Sequence, residues 1–537
     1  MLMAEAAQYR RLRAPRETGQ TLVEPPRDAL AELVARNRQH AATLDYDLQG
    51  RSLRELAASA RRTLLEAAAT YTSQYRDAPR ISVAEAAHRP LVLSGHQPQL
   101  FHPGVWYKNF VVGRLAREVK GVGIHLLIDS DVCREASIRV PTGSIDEPRV
   151  ETVPLDAPAV DVPYEERTVQ DEAAFGGAAE RVVALLRPLV AEPLIASLWP
   201  LVREASGERN LGRRIARGRH RMEAQWGNDT LELPQSAVCE LPEFAWFVAH
   251  VLAHLPRFWA AHNDALADYR RVHRLRNRAQ PVPDLAETDG WLEAPFWMWT
   301  AEDPRRQPVY ARQQGDQLLV TDGRQHTIDL VLSADGDAAL AAEQLVGLAA
   351  RGIKLRTRAL ATTLFARLFL GDLFLHGIGG AKYDQVTDQI AERFFGFSLP
   401  AFATASATLR LPIAHPACEA CQLREARQQL RELKFHPERF LDGHPVSNAD
   451  PAAARLVAEK QRWINTAKTP ANARERHLAI AAANAALQPF VAPRRAELER
   501  RRGDAEARLR AGAVLDSRDY AFCLFPRESL EQLMHNA

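Results

Sequence analysis

Residues 91–108 read LVLSGHQPQLFHPGVWYK, and this stretch decides how the rest of the 537-residue chain is interpreted. Its apolar start, 91–93, predicts a buried strand, and a helical pattern follows from about residue 104 to residue 118. A second apolar run, 124–128, predicts another buried strand. Strand, helix and strand in close succession indicate a βαβ unit with parallel strands.

The loop between the first strand and the helix is rich in polar side chains. His96, Gln97 and His102 lie in it, and Lys108 lies one turn into the helix. Open α/β sheets bind ligands at the carboxyl ends of their strands, and a helix N-terminus offers free N–H groups to an anion. The loop therefore predicts a phosphate or carboxylate site, although the same side chains could instead hydrogen-bond the backbone of a tight, proline-bounded loop.

Two acidic residues follow the second strand. Asp129 and Asp131 are two positions apart, so both carboxylates face one side if the strand continues. Such a pair can hold a metal, accept hydrogen bonds from a ribose or an amine, or act as a base. The structural alternative is a turn cap by Asp129 and an ion pair between Asp131 and Arg134.

A second strand, glycine-rich segment and helix occur far along the chain. Residues 373–376 predict a buried strand, and the segment 377–384, GIGGAKYD, contains Gly379, Gly380 and Asp384. Small residues at a strand–helix junction let a ligand approach the backbone. The segment is neither a P-loop nor a dinucleotide fingerprint, because its lysine lacks the required spacing and the hydroxyl that follows it.

Composition sets limits on the function. The net charge is +2, so no overall field favours nucleic acid, and the sequence contains no apolar run that could span a membrane. A cytoplasmic location is expected. His415, Cys418 and Cys421 resemble half of a zinc site, but no second cysteine pair follows, so the sequence requires no metal.

The remaining periodicity predicts the other elements. Helices are expected at 27–40, 52–76, 173–205, 207–223, 231–268, 360–369 and 383–395, short strands at 138–153 and 295–332, and long antiparallel helices over 421–509. The segment 514–524 is expected to dock on the core as a strand or a helix.

Five segments, taken in order, resemble the BshC family of cysteine ligases in bacillithiol biosynthesis. SGHQPQLFHPGVWYK is similar to the family's Gly-Gln-Gln-x-Gly-Leu-x-x-Gly-Pro loop with its downstream lysine, and LLIDSDVCRE stands where the family has an apolar strand ending in Glu-Asp-His-Asp. The family's Pro-Phe strand segment, its Gly-Gly segment and its closing stretch are resembled by PFWMWTAEDPRRQPVYA, HGIGGAKYDQVTDQIAERFFGFSLP and LDSRDYAFCLFP.

The chain departs from the family at several positions. Gln97 matches the second glutamine of the family's loop, but His96 replaces the first and Gln99 replaces the next glycine. Asp129 and Asp131 keep the acidity of the second element without its histidine. The chain is therefore expected to be a divergent member. A change of substrate is expected to show first at His96 and Gln99.

The resemblance implies an α/β fold with a Rossmann-like core, helical connecting domains, a small antiparallel β segment and a C-terminal coiled-coil arm that forms a homodimer. The expected segments are N-terminal helices (1–80), the first part of the core (81–160), a helical connecting domain (161–290), the β segment (291–340), the second part of the core (341–417), the arm (418–511) and a docking segment (512–537).

The resulting hypothesis is a ligase that joins cysteine, or a similar amino acid, to an amino-sugar conjugate and binds ATP or ADP. The predicted catalytic residues are His96, Asp129 and Asp131. The predicted substrate-binding residues are Gln97, His102, Lys108, Gly379, Gly380 and Asp384.

Two other functions stay open from the sequence. The loop at 96–108 is also similar to WbqC-like proteins of sugar biosynthesis, which favours a nucleotidyl or glycosyl transferase that uses the same pocket. The other alternative is a non-catalytic dimeric scaffold in which the helical arm matters and the pocket is vestigial.

Overall fold

The computed structural model describes residues 12–77, 88–158, 161–204, 207–415, 420–441 and 450–537. Their contacts divide into two compact units. The first contains the described residues within 1–140, 151–412 and 518–537, and the second contains those within 141–150 and 413–517.

The strands are numbered along the chain. They are β1 (Thr21–Glu24), β2 (Leu91–His96), β3 (Val122–Leu127), β4 (Ser137–Gly143), β5 (Pro148–Pro154), β6 (Leu231–Pro234), β7 (Glu287–Thr288), β8 (Trp291–Thr300), β9 (Gln307–Gln314), β10 (Gln317–Thr321), β11 (Thr327–Val331), β12 (Ile353–Thr357), β13 (Leu373–His376) and β14 (Ala403–Ala407).

The α-helices are numbered in the same way. They are α1 (Leu30–Thr43), α2 (Leu53–Ser73), α3 (Pro103–Glu118), α4 (Glu172–Gly176), α5 (Ala178–Leu186), α6 (Ile195–Arg203), α7 (Leu211–Gln225), α8 (Gln235–Val238), α9 (Pro242–Ala253), α10 (Leu255–His273), α11 (Ala339–Val346), α12 (Ala359–Phe365), α13 (Ile378–Phe395), α14 (Ala420–Phe435), α15 (Pro451–Asn465), α16 (Ala473–Leu487), α17 (Ala492–Leu515) and α18 (Arg527–His535).

The central sheet of the first unit is mostly parallel. Its order is β1-β14-β13-β2-β3-β6, and only the edge strand β1 runs antiparallel, to β14. Counted along the chain, the five parallel strands lie in the spatial order third, second, first, fourth, fifth. Because the order reverses between β2 and β13, the carboxyl ends of these two neighbours border a crevice where α/β sheets bind ligands.

The predicted βαβ unit is confirmed. β2 and β3 pair in parallel, with Leu93 opposite Ile124, and α3 connects them. Leu91 and Leu93 belong to the large apolar core that also contains residues of α2. Gly123 faces α3 instead, since a Cβ at this position would lie 3.1 Å from Val112. The sheet is therefore covered by helices on both of its faces.

Two element predictions were wrong. Residues 231–234 form the buried strand β6, although the pattern at 231–268 predicted helix; a four-residue apolar run is too short for periodicity to separate the two. Helix α13 begins at Ile378, so Gly379 and Gly380 lie in its first turn and not in a loop before it. Tertiary packing outweighs the low helix propensity of glycine here.

The short antiparallel strands predicted at 295–332 are confirmed. Together with β12 and β7, which lie outside the predicted range, they form a second sheet in the order β11-β10-β9-β8-β12, with β7 paired to β8. A bulge between Ala294 and Trp297 interrupts the pairing of β8 with β9. This sheet also belongs to the first unit.

The second unit contains the helices α14 to α17. α14 packs along α17, and α15 packs along α16. Leu433, Val491 and Leu498 form a small buried cluster.

Cys418, part of the half zinc motif, lies outside the described residues. Within the described ranges of the whole chain, no helix is long and apolar enough to cross a membrane.

Candidate functional site

A cavity of about 650 Å³ lies at the crevice between β2 and β13. Its walls come from the segment after β2, the first turns of α3 and α13, and α12. The polar side chains that line it are those of His96, Gln97, His102, Lys108, Thr362, Thr363, His376, Lys382, Tyr383, Asp384, Ser406 and Arg518. The strand order thus brings together two loops that are far apart in the sequence.

Lys108 supplies a buried amine to this cavity. Its residue is only 2% exposed, and Nζ donates a hydrogen bond of 2.7 Å to the carbonyl oxygen of Gly95. Burial, with a smaller contribution from the nearby Arg219, lowers the pKa of Lys108 to about 7. No carboxylate among the described residues forms an ion pair with this amine. An anion in the cavity would therefore restore the charged form of Lys108.

His102 caps the N-terminus of α3. Its Nδ1 accepts a hydrogen bond of 3.1 Å from the backbone N–H of Gly104. Burial, with the charge of Arg518 as a smaller cause, lowers the pKa of His102 to about 4, so the ring is neutral at pH 7. Because Nδ1 accepts, the proton resides on Nε2, and this nitrogen is a hydrogen-bond donor.

His96 has the opposite tautomer. Its Nδ1 lies 3.2 Å from the carbonyl oxygen of Gln97, which can only accept, so Nδ1 carries the proton and Nε2 the free electron pair. Burial and the neighbouring Lys108 lower the pKa of His96 to about 3. The two histidines of the loop therefore offer one neutral acceptor and one neutral donor.

Gly104 allows the first turn of α3 to approach β14. A Cβ on this residue would lie 2.2 Å from the carbonyl oxygen of Ala407, closer than any side chain tolerates. Glycine is therefore needed at this position, and it fixes His102 and Lys108 relative to the sheet.

Asp384 lies at the opposite wall, 1% exposed. Its Oδ2 accepts a hydrogen bond of 2.7 Å from Arg367 and lies 2.8 Å from Nε2 of His376. Burial alone would raise the pKa of Asp384, but Arg367 and His376 outweigh it and hold the pKa well below its usual range. Asp384 is thus ionised, and its charge is compensated within the protein.

The predicted glycines differ in their surroundings. Gly379 has no atom within 4 Å of the position that a Cβ would take, whereas a Cβ on Gly380 would lie 2.8 Å from Nδ1 of His376. Both residues line the cavity. Only Gly380 is required for a close approach.

The two predicted aspartates lie outside the lining of the cavity. Asp129 is 1% exposed and accepts hydrogen bonds from the backbone and hydroxyl of Ser236. Burial, together with Glu165, raises the pKa of Asp129 to about 6. The side chain of Asp131 is 41% exposed and accepts a hydrogen bond of 2.9 Å from Gln97, so Asp131 reaches the cavity wall only through that residue. Their catalytic roles stay predictions.

The sequence did not single out several lining residues. His376 ends β13 directly before the glycine-rich segment, and a polar residue at the carboxyl end of a buried strand was the available signal. Arg518 comes from the closing segment and donates a hydrogen bond of 3.2 Å to the carbonyl of Ala407. No local pattern connects Arg518 with the cavity.

Among the described residues, no group of three or more histidine, cysteine or acidic side chains is arranged to hold a metal ion.

The comparisons with known proteins leave the family open. No protein-family model matches the chain, and no curated protein matches it. The resemblance to the BshC family therefore rests on the five sequence segments alone.

Proposed function

We propose that this chain is a divergent BshC-like ligase with a Rossmann-like core, which uses a nucleotide to join cysteine, or a similar amino acid, to an amino-sugar conjugate. The observation that carries the proposal is the buried amine of Lys108 at the sheet crevice, without a carboxylate partner among the described residues. A buried cation of this kind favours an anionic ligand, because the ligand supplies the missing counter-charge.

The charge of the cavity supports an anionic substrate. Lys108, Lys382 and Arg518 line it, and Asp384 is the one acidic side chain among the described lining residues. Arg367 already compensates Asp384. The backbone N–H groups at the start of α13 add partial positive charge at the same wall. Phosphate and carboxylate oxygens fit this environment.

The size and position of the cavity also support nucleotide binding. A volume of about 650 Å³ lies in the range of small-molecule and cofactor sites. The spatial order of the five parallel strands is the order of dinucleotide-binding sheets, which bind their ligand where the order reverses. Both features support a Rossmann-like core, although the glycine-rich segment lacks the dinucleotide fingerprint.

Each polar group of the first loop has a role in this proposal. Lys108 binds an anionic oxygen as a charged donor, and Nε2–H of His102 donates to a second oxygen. His96 accepts a hydrogen bond from a substrate hydroxyl or amine through Nε2. Gly379 and Gly380 have no side chains, so the ligand can approach the protein backbone at the opposite wall. Asp131 orients Gln97 at the edge of the cavity.

Calorimetric titration of the full chain with ADP, ATP and inorganic phosphate tests the binding step. We expect ATP or ADP to bind the wild-type protein, and Lys108→Met to weaken that binding at least tenfold. Lys382→Met is the matched control, because Lys382 is exposed at the same cavity; its effect should be several-fold smaller. Absence of nucleotide binding by the wild-type protein would refute nucleotide dependence.

Mass spectrometry of the reaction products tests the chemistry. The wild-type protein is incubated with ATP, cysteine and an amino-sugar conjugate, and we expect an amide product together with nucleotide hydrolysed in equal amount. Replacing cysteine by serine tests the amino acid preference. Transfer of a nucleotidyl or glycosyl group instead of amide formation would replace the ligase by a transferase.

We also propose that the helical arm forms a homodimer. Unit two exposes large apolar side chains on its helices, among them Phe435, Ile464 and Leu478, the last 57% exposed. The resemblance to the BshC family implies a dimerising arm, and these side chains would lose their exposure to water if the arm packs against a second copy of the chain. Light scattering after size-exclusion chromatography should give a dimer for the wild type and a monomer for a Phe435→Glu/Leu478→Glu variant; a monomeric wild type would refute the proposal.

A further inference from the structure

The pair His376 and Asp384 has the geometry of a positioned general base. We propose that Nδ1 of His376 takes the proton from the incoming amine, and that Asp384 is the positioning residue that holds the imidazole ring. The proposal rests on the ligase function proposed above, because that reaction supplies the amine. It assigns the base to the second strand–helix unit, where the sequence suggested only ligand-binding glycines and Asp384.

The hydrogen bond between the two side chains fixes the tautomer. Nε2 of His376 lies 2.8 Å from Oδ2 of Asp384. Since an ionised carboxylate can only accept, Nε2 must carry the proton and donate it. The other ring nitrogen, Nδ1, then has a free electron pair, and it makes no hydrogen bond to any described residue. A neutral histidine held in this way can accept a proton.

The free nitrogen lies at the cavity. His376 lines it, and the Cα of Gly380 is so close that a Cβ there would lie 2.8 Å from Nδ1. The absence of a side chain on Gly380 thus leaves the electron pair accessible from the first turn of α13. The aromatic rings of Phe374 and Phe402 pack against the imidazole, at centroid distances of 4.6 and 5.2 Å, and restrict its rotation.

The carboxylate is itself held in place. Arg367 donates to Oδ2 of Asp384 at 2.7 Å and also donates to Asp388 and to the carbonyl oxygen of Pro400. The base, its orienting carboxylate and a cation that fixes the carboxylate therefore form one buried chain. A carboxylate also orients the ring in the Ser-His-Asp triad, although there it holds Nδ1 and leaves Nε2 as the base.

The charged groups that face His376 decide its protonation. Burial lowers the pKa of His376, Asp384 raises it, and Arg367 and Lys108 lower it. The net pKa lies below that of a free histidine, so the ring is neutral and able to accept a proton at pH 7. Loss of the Asp384 charge would lower the pKa further.

The proton transfer balances within the proposed reaction. A carboxylate oxygen of the amino acid attacks a phosphorus of the nucleoside triphosphate, which forms the acyl C–O–P linkage and breaks the P–O bond to the departing part of the nucleotide, which keeps the electron pair. The amine nitrogen of the amino sugar then attacks the acyl carbon and forms the new C–N bond. The C–O bond to the phosphate-type leaving group breaks, and its electron pair leaves with the oxygen. The proton released by the nitrogen passes to Nδ1 of His376, and the imidazolium is stabilised by Asp384.

NMR spectroscopy with ¹⁵N-labelled histidine tests the tautomer without any substrate. The ring signals of His376 are assigned by comparison with His376→Gln. We expect Nε2 protonated and Nδ1 unprotonated at pH 7. In Asp384→Asn the amide oxygen can accept the same two hydrogen bonds, so the tautomer should persist while the pKa of His376 falls. A proton on Nδ1 in the wild-type protein would overturn the proposal.

Reaction with diethyl pyrocarbonate tests access to Nδ1. His376 and His125 are similarly buried, 5% and 3% exposed, but His125 does not line the cavity. We expect His376 to be modified at least tenfold faster than His125 in the folded protein. Equal rates for the two histidines would contradict an accessible base.

Turnover separates this inference from the proposed function. His376→Gln should lose roughly 10²- to 10⁴-fold in kcat while ADP binding stays within about twofold of the wild type. In Asp384→Asn the plateau rate should fall and the acid limb of kcat/KM should move to lower pH, which a purely structural role would not cause. A wild-type protein that forms product, with His376→Gln equally active, refutes the base alone. A wild-type protein that binds no nucleotide refutes the nucleotide-dependent function, and the proposal of the base, which depends on that function, is overturned with it.

Discussion

Substitution of Lys108 by methionine tests the reasoning about the site most directly, because stability and binding should change in opposite directions. Methionine is unbranched and similar in length, so it fills the same space without an amine. We expect Lys108→Met to unfold at a higher temperature than the wild type at pH 7, and to bind ADP or phosphate at least tenfold more weakly. Removal of a functional side chain often makes the folded protein more stable, because such a side chain is held for binding in surroundings that destabilise the fold.

The magnitude follows from the pKa of Lys108, which burial lowers from 10.5 to about 7. Above the unfolded pKa the amine is neutral in both states and costs nothing. As pH falls towards 7, the unfolded chain binds a proton that the folded chain does not, so the penalty grows to about 4 kcal/mol at pH 7. Loss of the hydrogen bond to Gly95 lowers the free energy of unfolding of the variant by about 1 kcal/mol. The net gain for Lys108→Met is therefore about 3 kcal/mol at pH 7 and close to zero near pH 10, and well above pH 10.5 the variant should be about 1 kcal/mol less stable than the wild type.

The same linkage predicts a pH dependence of binding. An anion raises the pKa of Lys108, so binding takes up a proton at pH values above 7, and affinity should fall up to about tenfold per pH unit between pH 7.5 and 9. Isothermal titration calorimetry in buffers of different ionisation enthalpy measures this proton uptake. Lys382→Met should change the free energy of unfolding by no more than about 0.5 kcal/mol, as expected for an exposed residue. A Lys108→Met variant that is less stable than the wild type at pH 7 and binds anions normally would refute the assignment of Lys108 as a buried amine that binds an anion.

The remaining predictions concern three buried side chains, those of Asp384, His376 and Glu232. Asp384→Ala leaves the charge of Arg367 without its best partner, and urea denaturation should show a loss of about 3–5 kcal/mol in the free energy of unfolding, more than for Asp384→Asn; equal effects would contradict a buried ion pair. Gly380→Ala places a methyl group 2.8 Å from Nδ1 of His376, so the diethyl pyrocarbonate reaction of that histidine should slow several-fold, and the melting temperature should fall because the ring is held by its neighbours and cannot move aside freely. Burial raises the pKa of Glu232 from 4.5 to about 7, which means that its contribution to stability is complete below pH 4.5 and is lost as pH rises through 7; Glu232→Gln should remove this loss, seen as a flatter dependence of the melting temperature on pH between 4.5 and 7.5.

Prediction from the sequence was most reliable where periodicity is local. The unit β2, α3 and β3 was placed within a few residues, because its apolar runs are bounded by clear polar breaks and a proline begins the helix. The strand β6 was missed, since four buried residues carry no period that separates strand from helix. The start of α13 was placed too late because two glycines weaken the helical signal.

Prediction of the site succeeded for residues next to strand ends and failed for those that come together through packing. His96, His102, Lys108 and Asp384 line one cavity, as two loops of the same sheet edge should. Asp129 also follows a strand, but its carboxylate turns towards Ser236 and away from the cavity. The sequence alone does not determine on which side of the strand ends a side chain lies.

The sequence by itself determined the alternation of strands and helices and the polar residues at the strand ends, because both depend on neighbouring positions in the chain. The tertiary structure decided the rest. The strand order places β13 beside β2, and this neighbourhood creates the cavity and brings the pair His376–Asp384 to the same crevice as the buried Lys108. A lowered pKa arises from removal of water and from charges that are close in space, and no local pattern encodes either.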